Sequence, residues 1–235
     1  MESVMSAVTS MRPRRERRKE ARPSELAAAA LDLFVERGYA ATRLEDIAAR
    51  AGVSKGTLYL YFAGKEDLFK VVVREGIVPA LANAQRLIAD HRGSASDLLC
   101  SLIRGWWQLI GSTHLGGITK LMIAEAGNFP EIAQFYYDEV LRPAHGLMRS
   151  VLLRGQQSGE FRAGDVDTWQ QLVFSPFILF AVWRHSLACC DARAGAPEEY
   201  IEAALDFVLR GLRSEPGNPE RSSPRAAAAR RAAEG

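Results

Sequence analysis

The sequence predicts an all-α chain, a small N-terminal three-helix unit joined to a larger helical one. Apolar residues recur at three- and four-residue spacings along most of its length, and no stretch alternates convincingly as a strand. Glycines and prolines punctuate the pattern at helix-length intervals, with few turn clusters between. With 235 residues and 48% apolar content, the chain can bury a sizeable core.

Within residues 23–70, Thr42 and Glu45 have capping-box spacing, so a helix should begin near Arg43 with the Thr hydroxyl capping it and the Glu reaching back. Ile47, Ala48 and Ala51 give it an apolar face, and Gly52 supplies the left-handed residue that ends it. Ser54 is suited to cap the next helix, in which Leu58 and Phe62 lie four apart and face inward. Lys55, Thr57, Tyr59 and Tyr61 are left mainly on other faces.

Two short helices across a tight Gly-containing turn make a helix-turn-helix, whose second helix can enter the major groove of DNA. The outward residues suit that task. Lys donates to guanine or phosphate, Thr bonds a base or meets a thymine methyl, and Tyr hydroxyls reach phosphate oxygens. Lys65, at the start of the following helix, is placed for another phosphate contact. A plainer reading of the same residues makes Tyr59 and Tyr61 packing groups and Lys55 and Lys65 solvated charges.

Residues 24–70 resemble the DNA-binding domain of the tetracycline-repressor (TetR/AcrR) family of bacterial transcription factors. The runs 29–39, 42–47 and 52–62, closed by Lys65, Glu66, Leu68 and Phe69, carry the resemblance through their order. It implies that Arg43, Lys55, Gly56, Thr57, Tyr59, Tyr61 and Lys65 occupy DNA-contact positions, without dividing them between bases and phosphates.

The net charge of +2 is too small for a protein that coats nucleic acid, so the distribution of charge matters more than its sum. Residues 1–22 form a basic arm, with Arg12, Arg14, Arg15, Arg17, Arg18, Lys19 and Arg22 opposed only by Glu16 and Glu20. Such an arm can add phosphate contacts or enter a minor groove; it reads equally as a disordered solubilising leader. No apolar run near the start resembles a signal peptide, and 172–183 is too short to span a membrane, so the expected location is cytoplasmic.

Cys100, Cys189 and Cys190 form no CxxC or zinc spacing and read as reduced thiols, with thiol sensing by the adjacent pair left open. The four histidines are scattered singly, so neither metal nor cofactor is expected. No Ser/His/Asp, metal-ligand or phosphate-loop spacing points to an enzyme.

Beyond the reader, helices are expected over 65–90, 95–112, 117–126, 130–157, 167–188 and 197–212. Pro130 and Pro197 suit first turns, whereas Pro79, Pro143 and Pro176 fall inside helical patterns and should kink or interrupt them. Ile132, Phe135, Tyr136, Val140, Leu147 and Val151 form a long core-facing stripe. Trp106, Trp107, Tyr136, Tyr137, Phe174, Phe177 and Trp183 supply aromatic surface for an apolar ligand cavity between helices. The last two helices carry enough apolar surface to form a four-helix interface with a second copy, as the resemblance also implies. Segments within 120–161 resemble the regulatory domain of one branch of the family, whose members often control efflux or stress-response genes.

The expected organisation is therefore a basic arm (1–22), a helix-turn-helix domain (23–70), a regulatory and dimerisation domain (71–213) and a disordered tail (214–235). The expected function is that of a homodimeric repressor that reads a pseudo-palindromic double-stranded operator and is released by a small apolar or aromatic molecule. The alternatives are a DNA-binding dimer controlled by a protein partner or by no ligand and, less favoured, an enzyme.

Overall fold

A computed structural model describes residues 23–188, 190 and 196–214. The basic arm, Cys189, Gly195 and the tail beyond Ser214 lie outside the described residues.

Helix α1 (Pro23–Arg37) starts on a proline, carries Glu25 in its first turn and Arg37 in its last, and buries Leu26, Ala30, Leu33 and Phe34. Gly38 ends it at φ 86°. Helices α2 (Leu44–Arg50) and α3 (Lys55–Tyr59) follow, separated by a turn in which Gly52 holds φ 76°. Ser54 caps α3, its Oγ accepting the Thr57 amide at 3.1 Å.

The expected capping box does not form. Thr42, 2% exposed, donates its hydroxyl back to the Gly38 carbonyl at 2.7 Å, with the Leu33 carbonyl at 3.1 Å. The N-cap of α2 is Arg43, without a side-chain bond, and Glu45 pairs with Lys55 instead. Carbonyls at the buried end of α1 need a protein donor, whereas water can serve the exposed start of α2.

Helix α4 (Lys65–Gly76) runs through position 70, and α5 (Val78–Asp90) follows a break at Ile77 with Pro79 in its first turn. The expected 65–90 helix is thus two. Helix α6 (Ala95–Trp106) passes into a π turn at Trp107–Gly111, then come α7 (Gly116–Glu125) and α8 (Pro130–Tyr136). A second π turn, Tyr137–Leu141, leads into α9 (Arg142–Gln157) with Pro143 in its first turn. Helix α10 (Val166–Leu187) accommodates Pro176 without ending, and α11 (Pro197–Leu212) completes the described helices. Among the described residues the only strand-like pairing is an isolated bridge between Phe161 and Arg213.

Two apolar clusters form the core. The first joins α1–α4 to Ile118, Leu121, Ile132, Tyr136 and Val140, so the N-terminal helices share their interior with α7 and α8. Gly117 permits this approach, because a Cβ there would lie 2.6 Å from Val35. The second cluster packs α6, α9, α10 and α11 around Leu98, Leu99, Val151, Phe161 and Phe177. The stripe on 130–157 divides between them: Ile132, Tyr136 and Val140 enter the first cluster and Val151 the second.

Lys65 faces inward. Its Nζ donates to the carbonyls of Tyr39, Ala40 and Thr42 at 2.6, 3.1 and 3.2 Å, and sits 4.5 Å from the Tyr39 ring centroid. Burial pushes its pKa down, with Glu125 opposing. Glu125 Oε1 also accepts the Ala40 amide at 3.2 Å, so the α1–α2 loop is held from α4 and α7 together. Three loop carbonyls thus share the ammonium for which a phosphate contact is expected from the sequence.

Glu160 caps α6 from a distant loop, its carboxylate accepting the amides of Ala95 and Ser96 at 2.8 and 3.0 Å. Burial raises its pKa, but bonds from Ala95, Ser96 and Ser158 outweigh burial and hold it below the usual carboxylate range.

Replacing Lys65 by Met should lower the unfolding free energy by about 1–3 kcal/mol, read as a lower urea midpoint at unchanged slope. Glu160→Gln should lose about 1 kcal/mol at neutral pH. Because the folded carboxyl titrates lower than the unfolded one, its contribution is complete above the unfolded value of about 4.3 and disappears as pH falls through the folded value. The gap between wild type and variant should therefore close in acid.

Candidate nucleic-acid interface and ligand cavity

Leu58 and Phe62 anchor the reader from beneath, both buried in the first cluster. Their four-residue spacing turns Lys55, Gly56, Tyr59 and Tyr61 outward, and all four are exposed, as is Arg43 at the start of α2. Thr57 is half-buried, and its Oγ1 lies 2.8 Å from Ser54 Oγ, which fixes the side chain at the start of α3. Six of the seven residues expected to meet DNA thus lie on α3, the turn after it or the adjoining edge of α2; Lys65 does not join them.

Lys55 pairs with Glu45, an interaction that raises the lysine's pKa and lowers the carboxylate's. Both side chains are more than half exposed, so the pair is weak enough for a phosphate to replace the carboxylate. The structure adds a residue that sequence reasoning passed over. Leu60, 83% exposed, stands between Tyr59 and Tyr61, each 46% exposed. Its signal was present: it lies off the Leu58/Phe62 stripe, which leaves a large apolar side chain in solvent. That side chain is suited to a thymine methyl.

A cavity of about 150 Å³ opens among α5, α6 and α9. Leu81, Leu87, Leu102, Trp106, Leu147 and Phe174 form much of its wall, and Asn83 and Ser101 are its only polar side chains. No residue of α5 is fully buried, although the helix is amphipathic. Its apolar face looks partly into the cavity, not into packed core.

Two of the seven expected aromatics line this space: Trp106 and Phe174, in edge contact at 4.7 Å. The other five do not. Trp107 stacks on Phe180 at 5.4 Å, and Phe177 is completely buried in the second cluster. Tyr136 is buried in the first cluster, where burial pushes its pKa up to about 12 against a bond to Thr119. Tyr137 and Trp183 are exposed. Helical spacing reveals which side chains turn inward; whether their neighbours leave a gap depends on how helices pack.

Helices α10 and α11 expose Leu172, Leu179, Trp183 and Leu187 on the first and Tyr200 and Phe207 on the second. Among the described residues no helix is long and apolar enough to cross a membrane, and no group of three His, Cys, Asp or Glu is placed to hold a metal.

Residues 26–72 match the family model for bacterial regulatory proteins of the tetR family, and residues 88–208 match that for the tetracyclin repressor-like C-terminal domain. The chain is 30% identical over 199 residues to the transcriptional repressor KstR2 of Mycobacterium tuberculosis, covering 83% of this chain and 94% of that one. It is 29% identical over 159 residues to a fatty acid metabolism regulator of Bacillus subtilis, covering 66% and 80% of the respective chains.

Among solved structures, the fatty acid degradation regulator FadR of Bacillus halodurans superposes with a TM-score of 0.67 at 22% identity, covering 82% of this chain and all of that one. KstR2 of M. tuberculosis gives a TM-score of 0.66 at 24% identity, covering 86% and 100%. These likenesses establish the shared fold. With a capped α2–α3 turn that presents an exposed reading face and family matches over both parts of the chain, the protein belongs to the tetR family of bacterial regulatory proteins, DNA-binding regulators of transcription.

Proposed function

We propose that the protein is a homodimeric repressor that works in the cytoplasm, reads a two-fold-symmetric operator and leaves it when an apolar molecule occupies the cavity. Ile110 carries this reading. It lines the cavity and also belongs to the apolar cluster that includes the DNA-binding helices, so filling the space bears on the reader's own core. The required bias is small: a tenfold preference of the ligand for the DNA-incompetent state corresponds to about 1.4 kcal/mol.

The apolar strip on α10 and α11 supports dimerisation, because six large side chains left in water favour a self-complementary two-fold contact. Two readers held about 34 Å apart then meet successive major grooves. The relatives support the ligand class. One is named a repressor, another a regulator of fatty acid metabolism, and FadR of B. subtilis has been solved with stearoyl-CoA. A mostly apolar carbon skeleton matches the cavity wall.

Selection from random duplex DNA should recover a two-fold-symmetric site with half-sites about 10 base pairs apart, whereas uniform binding that collapses with salt would refute sequence-specific reading. The double variant Leu179→Asp/Phe207→Asp should sediment as a monomer and bind the selected site more than about tenfold more weakly, while retaining its helical circular dichroism. A dimer that survives both charges would place the interface elsewhere.

A further inference from the structure

The cavity contains no charged side chain, so an ion drawn fully inside would be unpaired in an apolar setting. Its volume of about 150 Å³ is that of a dry apolar cavity able to hold a benzene-sized body, so a larger ligand must project through the mouth. The mouth is identifiable because Asn83 and Leu109 are the only exposed residues in the wall.

Beside that mouth stands a cation without a carboxylate. Arg86, one turn beyond Asn83 on α5, donates from Nη2 to Asn83 Oδ1. Among the described residues it makes no ion pair, although Asp90 is spaced four residues away for one. Arg74, Arg104, Arg142, Arg149 and Arg210 each hold an acidic partner. The guanidinium at the mouth therefore retains donors for an incoming anion, and its planar fork suits a carboxylate or phosphate.

We propose that the cavity takes an amphipathic anion, with its apolar end against Trp106, Leu147 and Phe174 and its charged end held at the mouth by Arg86 with Asn83. This rests on the cavity being the effector site. Asn83 contributes in two ways: its carbonyl oxygen orients the guanidinium, and its amide can donate to the same head group. The arrangement selects against uncharged molecules of equal length, which fill the cavity but leave Arg86 bound only to Asn83 and water.

The test titrates the full-length protein with decanoate, 1-decanol and decanoyl-coenzyme A, followed by tryptophan fluorescence and calorimetry at low and high salt. At least one of the two anions should bind about tenfold or more tightly than decanol, the worth of one charge-assisted hydrogen bond. In Arg86→Gln that preference should vanish while decanol affinity and melting temperature stay at the wild-type values. Preference for decanoate identifies a carboxylate as the charged end; preference for the thioester alone identifies the coenzyme's phosphates. Equal binding of all three, or a preference that survives in Arg86→Gln, would overturn the head-group site and leave the cavity as a purely apolar effector site. If none of the three binds, both the head-group site and the effector reading fall.

Discussion

The architecture depends on satisfying one short stretch of backbone, the loop from Gly38 to Thr42. It lies between α1, α4 and the end of α7, where several of its polar groups turn away from water. Lys65 gathers three of its carbonyls, Glu125 takes the Ala40 amide, and Thr42 returns its hydroxyl to the end of α1. Tyr39 and Phe129 close over the same point in an edge contact at 4.8 Å. Leaving such groups unpaired would cost more than most surface interactions on this protein can return. Once they are paired, the reader is fixed on the regulatory helices by polar as well as apolar contacts. Its orientation follows from α7 and α8.

That dependence shows what a linear sequence discloses. Gly52, Ser54, Leu58 and Phe62 were legible because turn chirality, capping and a four-residue stripe are local matters, decided within a dozen residues. The α-helical class and most helix bounds were legible for the same reason. Thr42 and Lys65 were harder to read because the carbonyls to which they donate lie in the last turn of α1 and the loop after it. Local capping preference gave way to the demand of a partly buried loop. The cavity residues were harder still. Trp106 and Trp107 are chain neighbours of the same type, yet one faces the void and the other Phe180.

The two halves of the regulatory part differ in how firmly they are built. Helices α6, α9, α10 and α11 surround a second core with many fully buried side chains, and Glu160 ties the start of α6 to the end of α9. Helix α5 has no fully buried residue and is joined to α4 through the break at Ile77. Few buried apolar contacts mean a low free energy of local opening. The cavity wall on this side is thus drawn from the low end of the stability range, whereas the firm helices include the two that expose the apolar strip of α10 and α11.

The π turn between α8 and α9 acts as a phase shifter. Ile132 and Tyr136 ahead of it and Val140 within it serve one core; beyond it Met148, Val151 and Leu152 serve the other. The wider turn at Tyr137–Leu141 sets the relation between those two faces, since each residue advances a regular helix by about 100°. Removing one residue there would rotate the whole of α9 against α6 and carry Leu147 away from the cavity. The segment can therefore tolerate drift in residue type but not in length. The distance in sequence between the two cores is set by this geometry, independently of which apolar side chains fill them.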